Sequence, residues 1–392
     1  MKIELEKTDR VAFPTGVLDL AVRTDDQTVY AACMDGLYEL SLPAAVPSTS
    51  SSSAELKPTP RRFGRHGSYV SGIAINETDA TVLSTAYDGT LHIRDLPASE
   101  NPATANATEI KPEENNAAPA AEIPPRFSER VHSFWSWGMD LSRDKRYLAS
   151  VSGQYLAGGE DYTPMGATEP TVKIFDAASG QLLHAFDMLP SVQCVAFDPS
   201  SRYLAAGNLM GDLSVWDVQS GENLAQWRTT SFTSWGIIKS HCYIGGIFAV
   251  SFSPDGESLY AAGMGEMRDP MAGNGKQLWQ RFAWRKSPVE KIQETVTSQA
   301  GEGLMETLAW HPDGDCFVMA GRLRGGNWNL GIFETETGQL VGQAKTGMRI
   351  TTARFGTDGS TLLLAGMQGQ PPPKEDRFPE FGYLERYRVI RS

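Results

Sequence analysis

Cysteine is scarce: Cys33, Cys194, Cys242 and Cys316 are the whole complement of 392 residues, with no CxxC pair among them. A disulfide scaffold or a thiolate zinc site therefore lacks its material, and buried reduced thiols are expected. Six scattered histidines and no HExxH, GxSxG, EF-hand or GxxxxGK[ST] pattern give no reason to expect a catalytic residue, a metal or a cofactor. Basic charge is also short. With 47 acidic against 35 basic residues the net charge is −12, which argues against a general nucleic-acid binder. No run approaches 18 apolar residues, so no membrane-spanning helix is expected. The opening MKIELEKTDR has no apolar stretch, so the expectation is a cytoplasmic protein without a secretory signal.

What the chain has in quantity is turn residues and repetition. Its 38 glycines and 23 prolines suit many short strands joined by turns. VAFDPSSRYLAAG (195–207), VSFSPDGESLYAAG (250–263) and LAWHPDGDCFVMAG (308–321) are copies of one pattern: an apolar strand, a polar Pro-Asp-Gly-like turn, and a second apolar strand. Weaker copies run over 18–33, 71–86, 137–153 and 351–366. A third and fourth strand around a Ser/Thr-Gly turn follow in TVKIFDAASGQLLHAF (171–186), LSVWDVQSGENLAQW (213–227) and NLGIFETETGQLVGQA (329–344). Four antiparallel strands cannot bury both faces alone, so the units must stack, and radial stacking makes a propeller.

Seven units are counted, beginning near residues 15, 65, 130, 188, 243, 300 and 346. The last contributes two strands and then GYLERYRVI (382–390), where the sequence ends. The expected fourth strand is KIELEKT (2–8), brought round to close the ring. The fold expected is all-β: a single seven-bladed β-propeller of four-stranded antiparallel blades over 1–392.

These residues resemble the WD40 family of seven-bladed propellers. Trp216-Asp217 is the intact signature dipeptide, softened to Phe175-Asp176 and Phe333-Glu334 elsewhere. His66 and His132 stand four residues before Val70 and Ser136, where the family places a strand-entry histidine, and Asp88 matches its tight-turn aspartate. The resemblance implies a buried network of His, Asp, a strand hydroxyl and Trp within a blade. No unit carries the full set: unit two has Arg94 in the Trp place, and unit four has Met188 and Met210 in the His and Asp places.

In that family's topology, the turns between strands two and three share one face with the links between blades. On that face fall the long insertions 153–170, 264–276, 321–328 and 367–381 and the link 228–246. Loops on a rigid scaffold are where binding usually sits. The expected binding residues are Trp135, Trp137, Tyr162, Trp235, Arg268, Arg322, Arg324 and Trp328, because arginines beside aromatics suit interface anchors. SFWSWG (133–138) and SFTSWG (231–236) are alike, yet counting from the strand turns puts them at non-equivalent places. Residues 43–60 and 97–125, rich in Ser, Pro, Ala and Asn, read as disordered tethers between strands three and four. The function expected is a monomeric, non-enzymatic scaffold binding another protein or peptide, without nucleic acid or membrane. The alternative is small-molecule binding, or lactonase- or hydrolase-like catalysis, at the mouth of the central channel.

Overall fold

The computed structural model describes residues 1–43, 58–97, 122–158, 163–234, 244–269, 274–369 and 379–392, with backbone alone at 157, 158, 163, 233, 234, 244, 267–269, 274, 297, 323 and 324. Its sheets follow the repeat. Sheet one comprises Val17–Val22, Thr28–Cys33, Gly36–Ser41 and Arg61–Gly64, and sheet two Val70–Asn76, Thr81–Ala86, Thr90–Asp95 and Phe127–Arg130. Sheet three holds Gly138–Leu141, Tyr147–Val151, Val172–Asp176 and Leu182–Phe186, and sheet four Val192–Phe197, Tyr203–Asn208, Asp212–Asp217 and Asn223–Arg228. Ile244–Phe252, Leu259–Asp269, Asn274–Ala283 and Glu290–Glu294 form sheet five. Glu302–Trp310, Cys316–Gly325, Leu330–Glu334 and Leu340–Ala344 form sheet six. Sheet seven is Arg349–Phe355, Thr361–Met367, Gly382–Arg391 and, from the other end of the chain, Ile3–Phe13.

The Pro-Asp-Gly-like turns explain why strands one and two recur so regularly. In 253–258, Asp255 accepts hydrogen bonds from the Ser253 hydroxyl and the Glu257 amide, while Gly256 takes φ of 72°, a conformation that a side chain disfavours. Each sheet then buries its faces against its neighbours. The seven core clusters among the described residues each draw on two adjacent sheets, including one that joins Leu363, Ala365 and Leu384 of sheet seven to Val17, Leu20 and Val29 of sheet one. The first strands of successive sheets touch all the way round, seven back to one. That is a closed seven-bladed propeller with the first strands innermost.

Closure is antiparallel pairing of Ile3–Phe13 with Gly382–Arg391, in register from Ile3↔Arg391 to Phe13↔Gly382. The closing strand is longer than the expected 2–8, because alternation resumes after the irregularity at Lys7/Asp9 and buries Val11 and Phe13. Three expected loops also differ. Residues 264–276 and 321–328 are largely strand, prolonging sheets five and six beyond the ring, where Gly275 and Lys276 pair with Gly303 and Glu302 and join the two sheets. Glycines permit close approach within each prolonged sheet: a Cβ at Gly275 would meet the Gly265 carbonyl oxygen at 2.2 Å, and one at Gly303 the Arg322 carbonyl oxygen at 2.3 Å. Within 153–170, Ala157–Gly158 pair with Thr163–Pro164.

Of the expected tethers, 44–57 and 98–121 lie outside the described residues. The end of the second is built in: the Ile123 amide donates to Phe63 O at 2.8 Å, and Arg65 pairs with Glu122.

Where sheets five and six meet, Trp279 is fully buried, with Phe317, Phe333 and Tyr260 rings 5.2, 5.6 and 5.9 Å from it. Trp279→Ala leaves a cavity between two sheets and is expected to cost about 3–5 kcal/mol. The check is a lower urea midpoint with an unchanged transition slope.

Candidate functional site

Antiparallel order puts the turns between strands two and three, and the links between sheets, at one end of the ring, here the upper face. A register irregularity recurs near the top of the first strand, between Val17/Asp19, Val70/Gly72, Val192/Cys194, Ile247/Ala249, Met305/Thr307 and Ile350/Thr352. Such bulges re-aim one side chain. The skipped residues are Leu18, Ser71, Gln193, Phe248, Glu306 and Thr351, and Trp137 holds the matching place just before sheet three. The upper mouth thus presents a different chemistry from every sheet.

Its most elaborate part lies between sheets two and three. Trp135, 44% exposed, stacks on Tyr87 with centroids 4.9 Å apart and planes 4° from parallel. Phe134 stacks on Trp135 at 5.2 Å, and Trp137 meets Trp135 and Tyr87 edge-on at 5.3 and 5.4 Å. Tyr69, 39% exposed, flanks Tyr87 at 5.8 Å. The loop is held from below. Glu169 accepts from the Ser133 amide and hydroxyl, Ser136 bonds Ser150 at 2.8 Å, and the Trp137 indole N–H donates to Gly153 O at 3.0 Å. Gly89, φ 76°, lets the loop cross it: a Cβ there would sit 2.1 Å from His132 O.

Sheets six and seven add charge. Arg349 binds Glu306 through both carboxylate oxygens, Nε–Oε1 at 2.7 Å and Nη2–Oε2 at 2.6 Å. Burial works against the Arg349 charge, yet Glu306 overcomes it and the guanidinium pKa is raised. The Tyr87 hydroxyl is pushed up by burial and feels Arg349 and Glu306, so the aromatic cluster and the ion pair share one electrostatic neighbourhood. A rigid indole face beside a paired guanidinium and carboxylate suits recognition of a peptide with mixed apolar and polar side chains.

Comparison with known proteins gives two findings. The family model "WD domain, G-beta repeat" matches residues 58–95, from the last strand of sheet one through three strands of sheet two. Transcription initiation factor TFIID subunit 5 of Caenorhabditis elegans is 23% identical over 212 residues, 51% of this chain. The match spans 31% of that relative's length.

The chain is similar to WD40 proteins.

The WD40-like network is present in sheet two with one exchange. His66 bonds Thr90 Oγ1 at 2.6 Å and Ser84 Oγ at 2.8 Å, and Thr90 donates to Asp88 at 2.6 Å. Arg94, in the Trp place, is buried and donates to Ile123 O, Arg65 O and Ser84. In sheet three, His132 bonds Ser150 at 3.0 Å. In sheet four, Trp216 stacks on Phe186 at 4.9 Å, and Asp217 closes its own turn and pairs with Arg202. These groups hold blades together.

Of the residues expected to bind, the structure brings Trp135 and Trp137 together at the upper mouth. Trp328 is not a surface anchor: it is 3% exposed, packs on Phe333 at 5.9 Å and donates to Gln299 O. Arg322 lies part-buried in the prolonged second strand of sheet six. Arg268 and Arg324 lie on prolonged strands, their side chains outside the described residues, as are Tyr162 and Trp235 altogether. Both Ser-Phe motifs begin in links between sheets, but 133–138 runs straight into its strand, whereas Trp235 and Gly236 of the second lie outside the described residues, among nine such residues that follow Ser234. Sequence reasoning missed Tyr69, Tyr87, Glu306 and Arg349. Aligning the copies at the bulge would have found Glu306, because it is the acidic residue at that place.

No helix among the described residues is long and apolar enough to cross a membrane.

Proposed function

We propose that this propeller is a non-enzymatic scaffold that captures another protein by seating a peptide segment of it on the upper mouth. The observation that carries the reading is Trp135, 44% exposed and stacked on Tyr87, in a loop anchored by hydrogen bonds at Ser133, Ser136 and Trp137. An exposed, pre-ordered indole loses little entropy on binding, which is how a few aromatic anchors dominate interfaces. Protein partners also fit the WD40-like family and a relative that is a subunit of an initiation factor. In this reading residues 1–392 work as one monomeric domain in the cytoplasm. The net charge of −12 disfavours nucleic acid as the partner.

The test is affinity capture with wild type, Trp135→Ala and Glu306→Gln, followed by mass spectrometry and titration of the recovered partner. Trp135→Ala is expected to weaken binding by about 2 kcal/mol, roughly 30-fold. Its stability should move by no more than about 0.5 kcal/mol, since the ring is partly exposed. A partner retained at full affinity by both variants sinks the reading.

A further inference from the structure

The opposite end of the channel is built differently. Seven residues there occupy one register position, each paired with the residue nine places on in the second strand of its sheet. Five are small: Ala21, Ala74, Ala196, Ser251 and Ala309. Sheets three and seven instead carry Asp140 and Arg354. Against Ser251 on one side and Ala21 and Ala74 on the other lie two adjoining recesses of about 340 and 310 Å³, sharing Asp140 and Leu141. The larger is walled by Phe197, Phe252 and Trp310 with Pro199, Pro254 and Pro312 of the strand turns. The Trp310 indole is fixed by donating to Ser251 Oγ at 3.0 Å.

The two recesses are lined by the carboxylates of Asp19, Asp26, Asp140 and Asp198 and by the cations of Arg23, Arg143, Lys145 and Arg354. Asp140 accepts from the Leu141 and Phe197 amides at 3.0 and 2.8 Å, but no side-chain cation pairs with it among the described residues. Arg354 turns instead to Asp19, at 3.1 Å. Asp140 thus has amide donors but no cation of its own within the lower mouth among the described residues. Burial pushes the Asp140 carboxyl up to about 6, against the pull of the Phe197 amide and Arg354, so an ionised group is held there at some cost. The other lining charges are engaged or exposed. Asp26 and Asp198 cap turns, Arg23 leans on Glu77, His311 bonds Gly359 O and accepts from the Asp313 amide, and Arg143 and Lys145 are exposed residues that line one recess each.

We propose that the lower mouth binds a primary ammonium on a hydrocarbon stem, with the head on Asp140 and the stem along Trp310, Phe252 and the proline wall. An ammonium gives Asp140 the cation it lacks, and its stem takes the apolar walls that a bare cation would leave wet. A lysine side chain of a peptide and a free diamine share this chemistry. The site is separate from the upper mouth and stands or falls independently of it.

Calorimetric titration of the full chain at pH 7.5 decides the matter, with 1,5-diaminopentane, N-acetyl-lysine amide and methylammonium as probes. At least one stemmed amine is expected to bind, and methylammonium at least about tenfold more weakly. Asp140→Asn, which keeps an oxygen for the amides, should weaken binding about tenfold or more. Arg354→Gln, which removes the competing cation, should tighten it about threefold or more. N-acetyl-lysine amide binding as well as the diamine identifies a peptide lysine as the source; diamine binding alone identifies a free polyamine. The proposal is overturned if neither stemmed amine binds by about 10 mM, or if Asp140→Asn binds as wild type does. Should Asp140→Asn not fold, unchanged or weaker binding by Arg354→Gln overturns it.

Discussion

A chain lacking residues 1–13 is expected to lose roughly 5 kcal/mol or more of stability, because the closing strand buries Ile3, Val11 and Phe13, each worth about 1.5–3 kcal/mol. The same cut strips the Gly382–Arg391 strand of its ladder partner and exposes an open edge. It also removes the partners of buried groups: Glu385 loses Lys7 and Arg10, and Arg386 loses Asp9. A typical domain has only about 5–15 kcal/mol to lose, so the truncated protein should unfold or aggregate near room temperature. Chemical denaturation of the two chains side by side is the check. An unchanged melting temperature after the cut would remove the closing strand from any stabilising role.

Acid should be nearly as damaging, and for a reason buried in sheets two and three. His66 is held neutral to about 2 by burial, aided by His92 and Arg94; His132 to about 3 by burial, aided by Lys173; and His92, stacked on His66 at 3.8 Å, to about 4 by burial and Arg94. All three folded-state values lie below the ordinary 6.5. Their contribution is therefore complete above pH 6.5 and is lost as pH falls toward the folded values, while the unfolded chain takes up protons that the folded one refuses. Each imidazole loses about 1.4 kcal/mol per pH unit in that window, and three together about 4. Asp140 works the other way. Its folded value of about 6 is raised, so between pH 6 and 4 the folded state gains about 1.4 kcal/mol per unit. By pH 5 the net loss is about 4–5 kcal/mol. Urea midpoints measured from pH 7.5 to 5 should fall steeply, and His132→Gln should make the fall shallower by about a third. A flat profile would mean that these rings ionise freely in the fold.

The architecture was legible in the sequence because its causes are local. Alternation of apolar residues needs only the strand's two-residue period, and the 253–258 turn needs only Asp255 to cap it and Gly256 to take a positive φ. Seven such pairs, and a final unit one strand short, were enough to predict a ring closed from the N-terminus. The prolonged strands of sheets five and six were not legible. Met264–Lys276 looks like a glycine-rich loop, yet its ends pair as strands, with Gly275 held against Gly265 where a Cβ would clash, and Gly275 and Lys276 also pair with Gly303 and Glu302 of the neighbouring sheet. Trp328 shows the same limit, since its neighbour in sequence is a loop and its neighbour in space is Phe333.

The two channel mouths were decided by tertiary structure alone. Tyr87, Glu306 and Arg349 stand hundreds of positions apart at the extremes, on sheets two, six and seven, and meet only because the ring closes. Asp140 is one acidic residue among 47 until the register shows that it shares its position with Ala or Ser in five other sheets. Strand period and turn chemistry act within a few residues, so the sequence by itself determined the blades and their number. Which side chains face one another across an axis depends on closure and bulge register, which sum over the whole chain.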